Sequence, residues 1–189
     1  SLVDGIILEY SYPTLISSSS TTEPLSLHTN AIDLEFSVNM TPESIASIPI
    51  TSSVLGPLSF ETSSSPSTNF TLEFTDLIAS RDTITLQLIS DNILAIYNYP
   101  LDGDEDGIPE GSPEDDIILT YHTETLADYD HNDIIEHADL DTFITSWIGD
   151  HYANELGPVT GIPPHFIPSF DLDFDIDDMV TFIRMWNWE

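Results

Sequence analysis

Oxygen-bearing residues recur at fixed intervals over one short stretch of this chain. Asp128, Asp130, Asn132, Glu136 and Asp139 stand first, third, fifth, ninth and twelfth in a run of twelve, with the Ile134 carbonyl seventh. That is the ligand order of a calcium loop: Ca²⁺ takes six to eight oxygens at about 2.3–2.6 Å, and alternate residues of a tight loop can all turn toward one ion. The eighth residue, Ile135, is where such a loop turns an apolar side chain into the core. Two further acidic runs offer similar chemistry. Asp102, Asp104 and Asp106 alternate ahead of Gly107 in sixth place, but Pro113 stands twelfth, which leaves Glu110 or Glu114 to bend in. The rival reading there is a solvated Asp-Gly hairpin turn. Asp171, Asp173 and Asp175 also alternate; counted from Asp171, Asp178 falls eighth rather than twelfth, so this loop is expected to be shortened, remodelled or without its ion.

The elements that must hold these loops are helical. Asp139, Leu140, Phe143, Ile144 and Trp147 lie at offsets 0, 1, 4, 5 and 8, and Asp178, Met179, Phe182, Ile183 and Trp186 repeat those offsets. Each set makes one apolar helix stripe. The expectation is a pair of helices packed through Leu140, Phe143, Ile144 and Trp147 against Met179, Phe182, Ile183 and Trp186. Trp188 is off that register and is expected to face a partner or the preceding domain.

A calcium loop closed by Asp rather than Glu, followed by such a stripe and then repeated, resembles a dockerin, over roughly residues 125–189. Asp133 departs from the family's Gly at the sixth position, although Asp tolerates a left-handed backbone better than most residues. The resemblance implies docking onto a cohesin-like module through exposed helix surfaces. The family's recognition positions correspond here to His137, Ala138, Asp141 and Thr142, which lack the Ser-Thr pairing that would name a cohesin class.

Residues 1–124 read as β-structure. Ala31–Val38, Asn69–Phe74 and Thr83–Ile89 alternate apolar and polar residues, Ile117–Tyr121 closes the set, and Gly5–Tyr12 is β-rich. Ser17–Thr22 reads as a polar loop, and Thr41-Pro42-Glu43 as a short helix start. The segment from Asp33 to Ile45 (strand, turn, short helix) and the late turn Asn98-Tyr99-Pro100-Leu101-Asp102-Gly103 resemble bacterial Ig-like domains of the surface-layer type. The fold class that follows is mainly β with a C-terminal α part: an Ig-like β-sandwich over 1–124, then a dockerin-like pair of calcium loop-helix units over 125–189.

Charge narrows the function. The chain carries 34 acidic residues against two arginines and no lysine, a net charge of −32. Nucleic-acid binding needs phosphate-neutralising cations, and adhesion to anionic lipid needs a basic surface, so neither is expected. Self-repulsion of this size calls for counter-ions, whether bound Ca²⁺, a saline medium or both. Cysteine is absent, which removes disulfides and thiolate chemistry. No apolar run approaches the ~20 residues of a membrane span. The opening Ser1-Leu2-Val3, without Met or a basic-then-apolar leader, reads as a mature or excised product.

Other chemistries find no marked site. Carboxylates are too numerous for a glycosidase pair to stand out. His131, His137 and His151 lack HExxH or HxxEH spacing, and solvated histidines are the plainer reading. Asn39-Met-Thr41 and Asn69-Phe-Thr71 are sequons that allow glycan attachment. The expected function is thus a non-catalytic, secreted or cell-surface, calcium-binding docking module. One alternative is a calcium-stabilised subunit of a self-assembling surface layer or fibre, with the strand Ile6–Tyr12 donated to a neighbour. A second is a carbohydrate-binding or carbohydrate-active protein.

Overall fold

The computed structural model describes residues 12–188, so most of the strand expected over Gly5–Tyr12 lies outside the described residues. Two antiparallel four-stranded sheets make up the first two-thirds of the chain. β1 (Leu15–Ser18), β2 (Ala31–Met40), β5 (Phe60–Glu61) and β6 (Ser67–Phe74) make one sheet in the order β1-β2-β6-β5. β3 (Ile50–Ser52), β4 (Gly56–Pro57), β7 (Thr83–Leu88) and β8 (Ile117–His122) make the other, in the order β4-β3-β7-β8.

Strict alternation decides which face each strand buries. Ile32, Leu34 and Phe36 of β2 point inward, opposite Phe70 and Leu72 of β6 in the register Leu34↔Phe70 and Ile32↔Leu72. Ile84, Leu86 and Leu88 of β7 do the same in the second sheet, with Ile50 and Tyr121 beside them. These side chains share one buried apolar cluster. Full burial of a Leu, Ile or Phe side chain contributes about 1.5–3 kcal/mol, so this pattern is the main stabilising term of the β part. The short helix α1 (Pro42–Ile45) starts after Thr41 as expected and sinks Ile45 into the same cluster.

The tract expected as a polar loop from Ser17 differs. Leu15–Ser18 pairs with β2 as an edge strand, and the Ser17 hydroxyl donates to Glu35 at 2.9 Å. An edge strand buries little, so hydroxyl side chains serve there.

Between β7 and β8 runs a long connection, residues 89–116, that carries the first acidic run. After β8 come α2 (His137–Gly149), the hairpin β9 (Val159–Ile162) and β10 (His165–Pro168), and α3 (Ile176–Trp186). The hairpin had no alternation long enough to reveal it. It is seated on the β part: the Ser80 N–H donates to the Phe166 carbonyl at 2.7 Å, and Phe166 is fully buried.

The two helices meet through a narrower stripe than the offsets suggested. Phe143 and Phe182 are buried with ring centroids 4.8 Å apart, and Phe174 and Trp147 pack around them. Ile144, Met179 and Ile183, expected in that core, are exposed instead, while Met185 is buried in their place. Phe174 packs on Phe143 and Trp147 on the inner face, and Ile144, Met179 and Ile183 lie on the outer side of their helices. Among the described residues, no helix is long and apolar enough to cross a membrane.

Candidate metal centre

The loop from Asp128 to Asp139 is built by its own carboxylates. Asp130 Oδ1 accepts from the Asn132 N–H, and Asn132 Oδ1 from the Ile134 N–H, a pair of side-chain turns that Asp and Asn form readily. Asp128 Oδ1 and Oδ2 accept from the Asn132 and Asp133 N–H groups at 3.2 and 2.9 Å. His131 and Asp133, in fourth and sixth place, take positive φ of 56° and 67°. Asp139, fully buried, closes the loop: its Oδ1 accepts from the Tyr129 N–H at 2.7 Å and its Oδ2 from the Glu136 N–H at 2.9 Å. Ile135 is buried, as an eighth residue should be. Oxygens of Asp128, Asp130 and Asp139 lie within 4.8 Å of one another, a group that does not include Glu136. Burial pushes the Asp128 carboxyl above the usual carboxylate range, with Asp139 and Asp130 adding repulsion and the two N–H bonds opposing it. All donors are oxygens, a set that could hold a hard metal ion.

The loop before α3 follows the same frame in a different register from the one counted out of the sequence. Asp178 is fully buried; its Oδ2 accepts from the Asp175 N–H at 2.7 Å, as Asp139 does from Glu136. Its Oδ1 accepts from Leu156 at 2.6 Å, where Asp139 accepts from Tyr129. Asp171 Oδ1 accepts from the Asp173 N–H, matching Asn132 and Ile134. Leu172 has φ 63°, matching Asp133, and its N–H donates to Glu155 Oε1 at 3.1 Å as Asp133 does to Asp128. Asp171, Asp173, Asp175 and Asp178 therefore occupy the fifth, seventh, ninth and twelfth places, not the first, third, fifth and eighth.

Glu155 takes the first place, and the β9–β10 hairpin is inserted between it and Asp171. No spacing rule finds Glu155, because the insertion destroys the interval. It is 1% exposed, its Oε2 has no hydrogen-bond partner, and burial raises its pKa, with Asp171 and Asp178 adding to the shift and the Leu172 N–H opposing it. At the seventh place Asp173 corresponds to Ile134 of the first loop. The carboxylates here are more widely spread than in the first loop: the acidic groups with oxygens within 4.8 Å among the described residues are Asp128/Asp130/Asp139, Asp102/Asp104/Asp106 and Asp104/Glu110/Asp115.

The last two of these groups lie together in the 89–116 connection, so Asp102, Asp104 and Asp106 are brought together, and Asp115 joins them from beyond Pro113. Asp115 was hidden by that proline at the twelfth place.

Of the residues tied to partner recognition, His137, Ala138 and Asp141 are exposed on α2 and Thr142 is half-buried, its hydroxyl donating to the Ala138 carbonyl at 3.0 Å. His137 also meets Trp186 edge-on, with centroids 5.7 Å apart. Trp188 faces the β part, with the Arg81 guanidinium 4.8 Å over its ring.

A scan against protein-family models and a search of curated proteins each give no match. Among solved structures, the N-terminal part of the bacterial S-layer protein SbsC is similar over 60% of this chain and 24% of that chain, at 12% identity and a TM-score of 0.38. This chain thus spans about a quarter of the length of that structure.

Proposed function

We propose that this protein is a non-catalytic, secreted or cell-surface docking module stabilised by calcium: an Ig-like β-sandwich over residues 1–124 followed by a dockerin-like pair of loop-helix units over 125–189. The observation that carries the reading is the shared bonding frame of the two helix-entry loops. Each is closed by a fully buried aspartate, Asp139 or Asp178, turned onto the backbone of its own loop. Gathering carboxylates there in a chain of net charge −32 is unfavourable without a cation. Extracellular calcium, at millimolar concentration, fills even weak sites of this kind.

Docking is supported by what the helices leave uncovered. Ile144 and Ile148 on α2 are 45% and 79% exposed, one helical turn apart and beside Asp141 and Thr145. Ile176, Val180 and Ile183 on α3 are 60%, 45% and 50% exposed at helical spacing. Apolar helix faces rimmed by polar residues suit a protein partner. A sugar-binding reading has less behind it: a cleft of about 410 Å³ is lined by Thr21, Glu23, Arg81, Asp82, His122 and Asp133 among others, without Trp, Tyr or Phe.

The experiment is light scattering coupled to size-exclusion chromatography on the full chain, in EDTA and in CaCl₂, with calorimetric calcium titration of the same samples. The expected result is calcium uptake by a particle of one-chain mass, leaving the helix faces for a foreign, cohesin-like partner. Calcium-driven growth in mass replaces that partner with identical subunits, as in a surface layer or fibre. Unchanged calcium uptake by Asp139→Asn overturns the assignment of the first loop.

A further inference from the structure

We infer that the connection between β7 and β8 holds a calcium ion of its own, in a fourteen-residue loop that runs from Asp102 to Asp115. This site stands apart from the two helix-entry loops and rests on different residues. Its front half repeats the frame of the Asp128 loop. Asp104 Oδ1 accepts from the Asp106 N–H, Asp106 Oδ1 from the Ile108 N–H, and Asp102 Oδ2 from the Gly107 N–H at 3.0 Å. Glu105 and Gly107, fourth and sixth, have φ of 64° and 88°, as His131 and Asp133 do in the other loop. The back half is two residues longer, which carries it past Pro113. Asp115, fully buried, then closes the ring: its Oδ1 accepts from the Gly103 N–H at 3.0 Å and its Oδ2 from the Gly111 N–H at 2.9 Å.

A solvated turn does not account for this interior. Asp102 is 3% exposed, and its Oδ1 is buried with no hydrogen-bond partner. A buried carboxylate oxygen left unpaired is costly, and the same residue lies within 4.8 Å of the carboxylates of Asp104 and Asp106. Asp104 is also within 4.8 Å of Glu110 and Asp115, so the two groups form one cluster around a shared member. Five carboxylates and the Ile108 carbonyl at the seventh place give an all-oxygen donor set of the number Ca²⁺ takes. Glycine is required at 103, because a Cβ there would run into the Asp115 carbonyl.

The ion would act on the β part. Asp102 N–H donates to the Pro13 carbonyl, Leu101 is fully buried, and Asp116 accepts from the Ser90 N–H at 2.9 Å. Closing the Asp102–Asp115 ring would therefore tie the middle of the long connection to its C-terminal end, next to the bonds to Pro13 and Ser90.

The test counts calcium on the full chain by competition with a chromophoric chelator, at about 0.15 M NaCl to screen diffuse charge. Asp102→Asn and, separately, the pair Asp104→Asn/Glu110→Gln are expected to bind one ion fewer than the wild type. The pair uses exposed side chains and keeps the test open should Asp102→Asn fail to fold. Removing equal charge elsewhere, with Glu43→Gln/Glu61→Gln, is expected to leave the count unchanged. An unaltered count in the Asp104→Asn/Glu110→Gln chain overturns the inference, and so does an equal loss in the control pair. Ions lost solely with Asp139→Asn and Asp178→Asn would sink this site and leave the helix-entry loops standing; ions lost solely with the Asp102 and Asp104 variants would do the reverse.

Discussion

Glu155 and His28 show how much single side chains here depend on their surroundings. Glu155 is buried with one oxygen unpaired beside Asp171 and Asp178, and its carboxyl is pushed up by that burial. Glu155→Gln keeps the shape and removes the charge. The expected outcome is a chelated protein at least as stable as the wild type, together with loss of the calcium-induced gain from the second loop. That gain is about 2.7 kcal/mol at a hundredfold excess of ion over Kd. Thermal melts of both proteins in EDTA and in CaCl₂ read the difference; a wild-type gain in the variant would remove Glu155 from the site. His28 is stacked on Phe170 with centroids 3.8 Å apart, and desolvation lowers its pKa below 6.5 against the pull of Glu124. Just below pH 6.5 the folded chain therefore holds fewer protons than the unfolded one. Stability present above that pH is lost as pH falls toward the lowered folded value. The ring keeps an exposed edge, so the effect is small. In saturating calcium, the wild type should lose melting temperature relative to His28→Gln between about pH 7.5 and pH 5.5; parallel pH curves would contradict this.

At the scale of elements, the helix pair depends on a few aromatic contacts. Phe143 and Phe182 are 4% and 3% exposed, and Phe143 also meets Phe174 at 5.3 Å and Trp147 at 5.7 Å. Phe143→Ala and Phe182→Ala should each cost about 3–5 kcal/mol, as truncation of a buried aromatic does. Ile148→Ala, at a position 79% exposed, should stay within about 0.5 kcal/mol of the wild type. Denaturant unfolding of the three variants checks the ranking, and a near-zero cost at both phenylalanines would mean that the helices share no core. The hairpin β9–β10 adds a second tie. Phe166 is buried against the β part and lies under the Arg184 guanidinium at 4.2 Å, so α3 is held to the hairpin that interrupts its own loop.

For the whole molecule the governing quantity is charge. Both arginines lie over aromatic rings, Arg81 over Trp188 and Arg184 over Phe166, in a chain of net charge −32. On the calcium reading proposed above, relief of the repulsion falls largely to ions from solution. Binding only to the native state stabilises it by RT ln(1 + [L]/Kd), so each filled loop adds to stability. Chelation should therefore lower the melting temperature, followed by fluorescence of the three tryptophans, all of which lie in the C-terminal part. NaCl should recover a portion by screening, and CaCl₂ the remainder, since screening cannot supply inner-sphere oxygens. Full recovery in NaCl alone would reduce the acidic loops to solvated charge. An ion in the Asp102–Asp115 loop extends the same expectation to the β part, which far-ultraviolet circular dichroism follows.

Features set by neighbours along the chain were legible from the amino-acid order. The alternation in β2, β6 and β7 named the buried faces because a strand repeats every two residues. The Asp128–Asp139 spacing named a loop because two of its turns are closed by a side chain two residues back. Two helices before the C-terminus followed from the recurring offsets, and so did the burial of Phe143 and Phe182. Tertiary structure decided the rest. That Ile144 and Ile183 face out while Phe174 and Met185 are buried was decided by how the helices pack. Glu155 and Asp115 entered their loops through contacts that no fixed interval describes, one across an inserted hairpin and the other past a proline. A carboxylate placed that way is chosen by the closing of a ring in space, and linear spacing carries information only while the chain between two ligands keeps a constant length.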